Sequence, residues 1–434
     1  MDYAMIAETL RTIAAFAAGV IKKSIFFITV FCLLLAGAAT VFAQPDSAGG
    51  NPNERGLALT VNNYGVAFGD IPVVHGLRFN FRDTNLNRVN GVNITIMTPR
   101  EPSYGTVRGL ALGLPMTGGA SITGISAALG GITSDESIRG IQVAFLGIGA
   151  GSGISGITVA GLGFGSGGDV RGLNLAGLGL GAGGNLSGIT VAGLGFGSDG
   201  NVSGISVAGL GFGADGNVSG ISVAGIGFGT GGNVSGISFA MLGFGAGDNA
   251  TGINLAGLGF GAGENATGIN AAFLGLGAGE DVRGLNFAAG GVGAGGSITG
   301  VNMAGLGLAA GDDIRGISLA GLGIASGESV TGISFAGLGI ASQRLQGITV
   351  SPAAGAFELA RGAFIAPAYF RIEEGRLQGI SLSAFNHIRG QQHGITIGLF
   401  NYARHLNGIQ LGVLNYAGNN PRGLRLLPLA NANL

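Results

Sequence analysis

The stretch Gly204-Ile-Ser-Val-Ala-Gly-Leu-Gly-Phe-Gly-Ala-Asp-Gly-Asn-Val-Ser219 decides the fold. Its opening glycine recurs sixteen residues later, and thirteen such glycines run from Gly140 to Gly332 without a slip. A period this strict means one structural unit stacked on copies of itself, each burying its inner face against its neighbours. Outside this zone the marker glycine returns at less regular intervals: Gly76, Gly91, Gly109 and Gly124 before it, then Gly347, Gly362, Gly379, Gly394, Gly408 and Gly423 after it. Irregular end units fit the need of a stack to cap itself.

Positions within a unit are counted from the marker glycine as zero. Position +1 is Ile, Leu or Val, +2 is polar, +3 is mostly Val, Leu or Phe, and +4 is Ala in all thirteen strict units. Alternation of this kind reads as a short strand. Taken by hydropathy, the inside of the coil holds Val202, Ile205, Val207, Leu210 and Phe212, with the polar +2 row outside. Two steps of three residues, at Ser203-Gly204 and at Ala208-Gly209, read as corners, and Gly213 to Asn217 reads as a third bend. The expectation is an all-β chain, a single parallel β-solenoid of about 23 coils, mostly of 16 residues.

The expected organisation is a signal peptide over 1–43, a linker with cap strands over 44–75, and irregular coils over 76–139. The strict solenoid follows over 140–346, and divergent C-terminal coils with a cap over 347–434. Lys22-Lys23, the apolar residues 24–35 and Val41-Phe42-Ala43 form the export signal, with cleavage before Gln44. The one cysteine, Cys32, lies within it, so the mature chain has no disulfide and no thiolate-bound metal.

Glycine makes up 92 of 434 residues, but no Gly-X-Y triplet repeats, which excludes collagen. The chain is 46% hydrophobic at fixed positions, which argues against low-complexity disorder. Net charge is −1 with only 10% charged residues, so no basic field exists to draw nucleic acid. Gly-x-Gly strings such as Gly161-Leu-Gly-Phe-Gly165 open no helix and precede no Lys-Ser/Thr, so they make no phosphate loop. Neither a Ser/His/Asp set nor a stacked histidine set is discernible. The expectation is no enzyme, no small-molecule substrate and no metal.

The remaining candidates are structural. Six successive units carry Asn at −3 (Asn185, Asn201, Asn217, Asn233, Asn249 and Asn265), read as a ladder of stacked amides rather than as glycosylation sites. Three others replace it with Asp and place Arg two residues on, giving the expected ion pairs Asp169/Arg171, Asp281/Arg283 and Asp313/Arg315. Carboxylates at the third bend (Asp199, Asp215, Asp248, Glu264, Glu280, Asp312 and Glu328) invite comparison with calcium-binding rolls. The period is sixteen rather than nine and several coils lack a carboxylate, so solvated turn charges are the better reading. Bare Gly209, Gly211 and Gly213 mark a flat face suited to self-association or to contact with an envelope glycan. The aromatics within 351–376 (Phe357, Phe364, Tyr369 and Phe370) are the place to look for a binding epitope.

The units Gly394-Ile-Thr-Ile-Gly-Leu-Phe-Asn-Tyr-Ala403 and Gly408-Ile-Gln-Leu-Gly-Val-Leu-Asn-Tyr-Ala417, with the ending Pro421-Arg-Gly-Leu-Arg-Leu-Leu-Pro428, resemble a bacterial family of glycine-rich surface repeat-containing proteins. The resemblance covers about 379–434; the central units depart from it, with Gly rather than Asn at +7. It implies export and a surface setting, and brings no activity and no functional residues. The expected function is therefore a non-catalytic exported rod, at the cell surface, outer membrane-associated or extracellular, acting as envelope component, spacer or adhesin. An outer-membrane β-barrel channel is the alternative, with sixteen residues as one spanning strand and a turn. The sameness of all units, the absence of Trp and the lack of Tyr from the strict units oppose it.

Overall fold

Each strict coil lays its residues directly over those of the next. Val202 pairs with Val218, Gly204 with Gly220 and Ala208 with Ala224, all in parallel register. In the computed structural model, residues 55–99 and 105–433 are described; the expected export signal and the first part of the linker lie outside them. The described residues form strands throughout, with one short 3-10 turn at Arg422–Leu424 and no α-helix. The result is an elongated parallel β-solenoid of about 20 turns. At roughly 4.8 Å per turn the stack is on the order of 100 Å long.

A strict coil contains one long strand, such as Val202–Ala208, and one short strand, such as Gly211–Ala214. The bends between them are tied to the neighbouring coil as firmly as the strands. The Leu210 N–H donates to the Leu194 carbonyl at 2.7 Å, and the Val202 N–H donates to the Asn217 carbonyl at 2.8 Å. An inserted residue would break this ladder at the bends, which accounts for the unvarying period.

The structure reverses the expected facing of the long strand. The strand continues through Ser203-Gly204, and the buried positions on either side of the marker glycine are −2, +2 and +4, not +1 and +3. Val202, Ser206, Ala208, Phe212 and Ala214 are buried, whereas Ile205 is 39% and Leu210 48% exposed and Val207 is half-buried. Of the five residues expected inside, only Val202 and Phe212 are there. The polar +2 row, expected outside, is the buried one.

Interior volume explains this reversal. The coil leaves room for a single column of large rings: Phe196, Phe212, Phe228, Phe244 and Phe260 stack at 4.5–4.9 Å with planes within 9°. Small residues must fill the rest, and they trade volume with one another. Ser206 accompanies Phe212, whereas Asn270, Asn286 and Asn302 accompany the smaller Leu276, Val292 and Leu308. Asn254 accompanies Phe260, but there the −2 residue shrinks to Ala250; the last two strict coils depart from the trade, with Ser318 beside Ile324 and Ser334 beside Ile340. Close-packed interiors demand such compensation.

The marker glycine is required twice over. Gly220 has φ +101, and a Cβ there would stand 2.2 Å from the Gly204 carbonyl oxygen. Gly213, by contrast, has ordinary φ and open space where a Cβ would go. The column of positive-φ glycines begins at Gly65, paired with Gly76, one turn earlier than expected. It ends at Gly408, because Gly423 lies in the 3-10 turn instead of opening a coil.

Both ends are closed by antiparallel pairs, Arg55–Val61 with Tyr64–Asp70 and Leu426–Asn433 on Phe385–Ala417. Between these ends the described pairings are parallel, so the antiparallel barrel is not the arrangement this chain takes. Beneath the first cap, the fully buried Arg78 guanidinium donates to Asp83, to Asn93 Oδ1 at 3.1 Å and to Asp70 Oδ1 at 3.2 Å. It occupies the +2 column, where it forms a polar plug at the end of the core.

Two outcomes are expected. Gly220→Ala should lower stability by about 1–3 kcal/mol or more in denaturant unfolding, while Gly213→Ala changes it by under ~0.5 kcal/mol. Ser222→Asn, overfilling a Phe228 coil, should cost about 1–3 kcal/mol. Adding Phe228→Leu should recover part of that loss, and a double-mutant cycle without positive coupling would refute the volume trade.

Candidate functional surfaces

The interior polar row forms an amide ladder where asparagines follow one another from coil to coil. Asn254 donates to Asn270, Asn270 to Asn286 and Asn286 to Asn302, at 2.8–2.9 Å, all within the core. A second ladder near the C-terminus links Asn386, Asn401 and Asn415 at 2.7 Å. Asn401 and Asn415 are the asparagines of the Asn-Tyr-Ala motif, Asn386 precedes His387-Ile388 instead, and all three are buried. They hold the stack together from inside and offer nothing to a ligand.

The −3 asparagines form an outer ladder along the bend. Asn201 donates to Asn185, Asn217 to Asn201, Asn233 to Asn217, Asn249 to Asn233 and Asn265 to Asn249, at 2.8–3.1 Å through Nδ2. The backbone N–H of each donates to the same oxygen, for example Asn217 N to Asn201 Oδ1 at 2.8 Å. Asp169 heads the ladder, accepting from the Asn185 backbone N–H at 2.8 Å and its Nδ2 at 3.1 Å. Asp281 continues it beyond Asn265 and accepts from the Ser297 N–H at 2.7 Å.

The ion pairs sit on this row. Arg171 donates to Asp169 at 2.6 Å, Arg283 to Asp281 at 2.5 Å and Arg315 to Asp313 at 2.5 Å. All three arginines are mostly solvated, which limits each pair to about 0–1 kcal/mol. The bend carboxylates do not converge. Among the described residues no group of three or more His, Cys, Asp or Glu side chains is placed to hold a metal ion. Glu264 instead accepts from Asn249 Nδ2 at 2.9 Å.

Of the aromatics in 351–376, Phe364 and Phe370 are core residues, while Phe357 is exposed and Tyr369 half-buried. Tyr369 belongs to a larger outward cluster. Its hydroxyl lies 2.9 Å from His387 Nδ1, His387 packs edge-on to Tyr402 at 5.3 Å, and Tyr402 stacks on Tyr416 at 5.0 Å. Beside it Glu373 is held by Arg371 and by Arg389 at 2.7 Å. Arg371 foremost keeps the Glu373 carboxyl below its usual range. Burial first, then Arg389 and Arg371, push the His387 imidazole down. The other histidines lie apart: His75 bonds Asn90, and His393 and His405 sit on other columns.

The largest surface was not legible as one from hydropathy. Positions +1, +3 and +6 face outward along every strict coil, so Ile221, Phe239, Leu242, Phe287 and Phe335 are 37–49% exposed. An apolar groove of about 870 Å³ runs along the +3 column, over the +4 and +5 positions. Its walls include Phe239, Phe273, Phe287 and Phe335, and its floor is the Ala-Gly pair of +4 and +5. One sequence signal could have found it. Among the positions that carry a side chain, only +4 is invariant in all thirteen units; placing that Ala inside puts +2 inside and +1 and +3 outside by parity.

The Asn185 N–H, followed by Arg171, holds the Asp169 carboxyl below its usual range. A lowered carboxyl adds stability that is complete above its unfolded value, near 4, and is lost as pH falls through the folded value. Asp169→Asn keeps the ladder acceptor and should change stability by less than about 1 kcal/mol at pH 7. The difference between wild type and variant should shrink as pH falls below about 4; unfolding curves taken at descending pH check it. Compared with family models, curated proteins and solved structures, the chain matches none, so its function must be argued from these surfaces.

Proposed function

We propose that the protein is a non-catalytic structural rod, exported to the cell surface, that serves as an envelope component or spacer carrying an adhesive end. The observation that carries this reading is the one-for-one parallel register that runs, with only local shifts, from Gly76 to Gly394. A stack held by backbone ladders, an inner ring column and two amide ladders resists bending and spans a fixed distance. The N-terminal Lys22-Lys23, the apolar run and Val41-Phe42-Ala43 support export. The likeness of residues 379–434 to surface repeat-containing proteins supports the same setting. The Tyr369–Tyr416 cluster is the one aromatic, charge-flanked patch of the described surface at that end, so contact with an envelope partner is assigned there.

Expressed with a C-terminal epitope tag in a bacterial host, the chain should begin at Gln44 after processing. Its tag should be digested by protease added to intact cells. An unprocessed chain confined to the cytoplasm would overturn the surface reading.

A further inference from the structure

The +1, +3 and +6 columns carry Ile, Leu, Val, Phe, Met, Ala or Gly in every strict coil, and no charged residue. Carboxylates stay at the far bend and arginines at −1, so they form a rim instead of interrupting the face. Half-exposed aliphatic and aromatic groups at three positions leave on the order of 150–200 Å² of apolar surface per coil, or about 2,000 Å² over the strict coils. The largest apolar patch of an ordinary monomer is about 300–600 Å². A stable complex buries about 800 Å² on each partner. The face therefore exceeds what one soluble molecule leaves to water and suffices for a firm interface.

We propose that a second copy of this chain covers the face, running antiparallel about a two-fold axis that crosses the coil of Gly236. Only another copy is guaranteed the same coil spacing over the whole length. A two-fold axis lying in the contact plane and across the coils sets each column against its like, with the order of coils reversed. Away from the axis the side-chain sizes then complement one another, while Phe239 and Met241, which lie on it, each meet their own copy. At +5, Phe145 meets Gly337 and Phe273 meets Gly209; at +3, Phe335 meets Val143 and Phe287 meets Val191. Phe145 and Phe273 are 71% and 62% exposed in the single chain and find open ground in this pairing. A parallel pair in matching register lacks this fit and would set large beside large. The inference rests on the solenoid itself and not on export or adhesion.

The test uses the chain as purified from an exporting host, without detergent, in a Cys32→Ser background. Light scattering should give twice the chain mass. Phe239→Cys alone should cross-link to itself, and Val191→Cys mixed with Phe287→Cys should give a mixed disulfide dimer. Phe287→Glu should weaken association at least tenfold while circular dichroism keeps the β spectrum, since residue 287 faces outward. A monomer at micromolar concentration would overturn the proposal. So would efficient Val191→Cys self-cross-linking, which marks a parallel pair, or open-ended fibres. A monomer that binds phosphatidylcholine vesicles through this face would assign it to lipid instead. Loss of export in cells would leave these results unaffected, and so separates this proposal from the surface reading.

Discussion

Every other feature depends on the hydrogen-bond ladder that fastens each residue to its counterpart in the next coil, sixteen positions on in the strict zone. In most β folds the bends are free to vary, because only the strands are paired. Here the bends are paired too: Leu210 is tied to Leu194, and the −3 Asn of each coil receives both a backbone and a side-chain donor from the next. A coil of different length would forfeit bonds on both of its faces. Once length is fixed, like residues must stack on like, and side-chain columns become the unit of design. A column tolerates what stacks well on itself: phenyl rings, primary amides, small aliphatics. It tolerates stacked charge poorly, and the inner columns of the strict coils carry none.

The period was legible because the ladder imposes it on every residue. Gly140 to Gly332 spells it out, and with it the parallel stacking and the elongated form. Which way the long strand faces was less accessible. Hydropathy puts Ile205 and Val207 inside and Ser206 outside, and the molecule does the opposite. The usual rule fails because it assumes an interior with room for several large side chains. The interior of a sixteen-residue coil is narrow and is largely filled by Phe212 and its stacked neighbours. What remains suits Ala208 and Ser206. Constancy, rather than hydropathy, marks such positions, and the invariant +4 alanine is the clue.

Burying hydroxyls and amides in this way is costly unless they are satisfied, and the stack satisfies the long ones by repetition. Asn270 donates to one neighbour and accepts from the other, so a run of identical residues leaves unmet needs chiefly at its ends. An isolated buried amide would lose the desolvation cost outright, about 1–3 kcal/mol. This favours runs over scattered substitutions, and the sequence shows runs: Asn from 254 to 302, Ser from 206 to 238. The outer ladder obeys the same logic. Asp169 stands at the accepting edge of the −3 asparagine run, where a carboxylate that accepts without donating is an appropriate terminus; Asp281, at the other edge, gives Asn265 its backbone N–H, and the arginines beside both balance the charge.

The same economy shapes the outside. With runs of amides laddered inside and along the bend, the remaining outward positions carry apolar groups on one face and bare backbone on the other. The short strand shows how freely that exterior can change while the interior is held. Its outward position is glycine at Gly213 and in most strict coils, although neither φ nor crowding within the chain requires it, and Ala309 and Ala325 take the same place. In the C-terminal coils the corresponding positions carry Arg371 and His387, and Tyr402 and Tyr416 stack onward from them. The inner columns across this change remain small residues, buried rings and amides. A repeat whose inside is fixed by volume and whose outside is free to differ can carry a plain shaft and a chemically distinct end in one continuous stack.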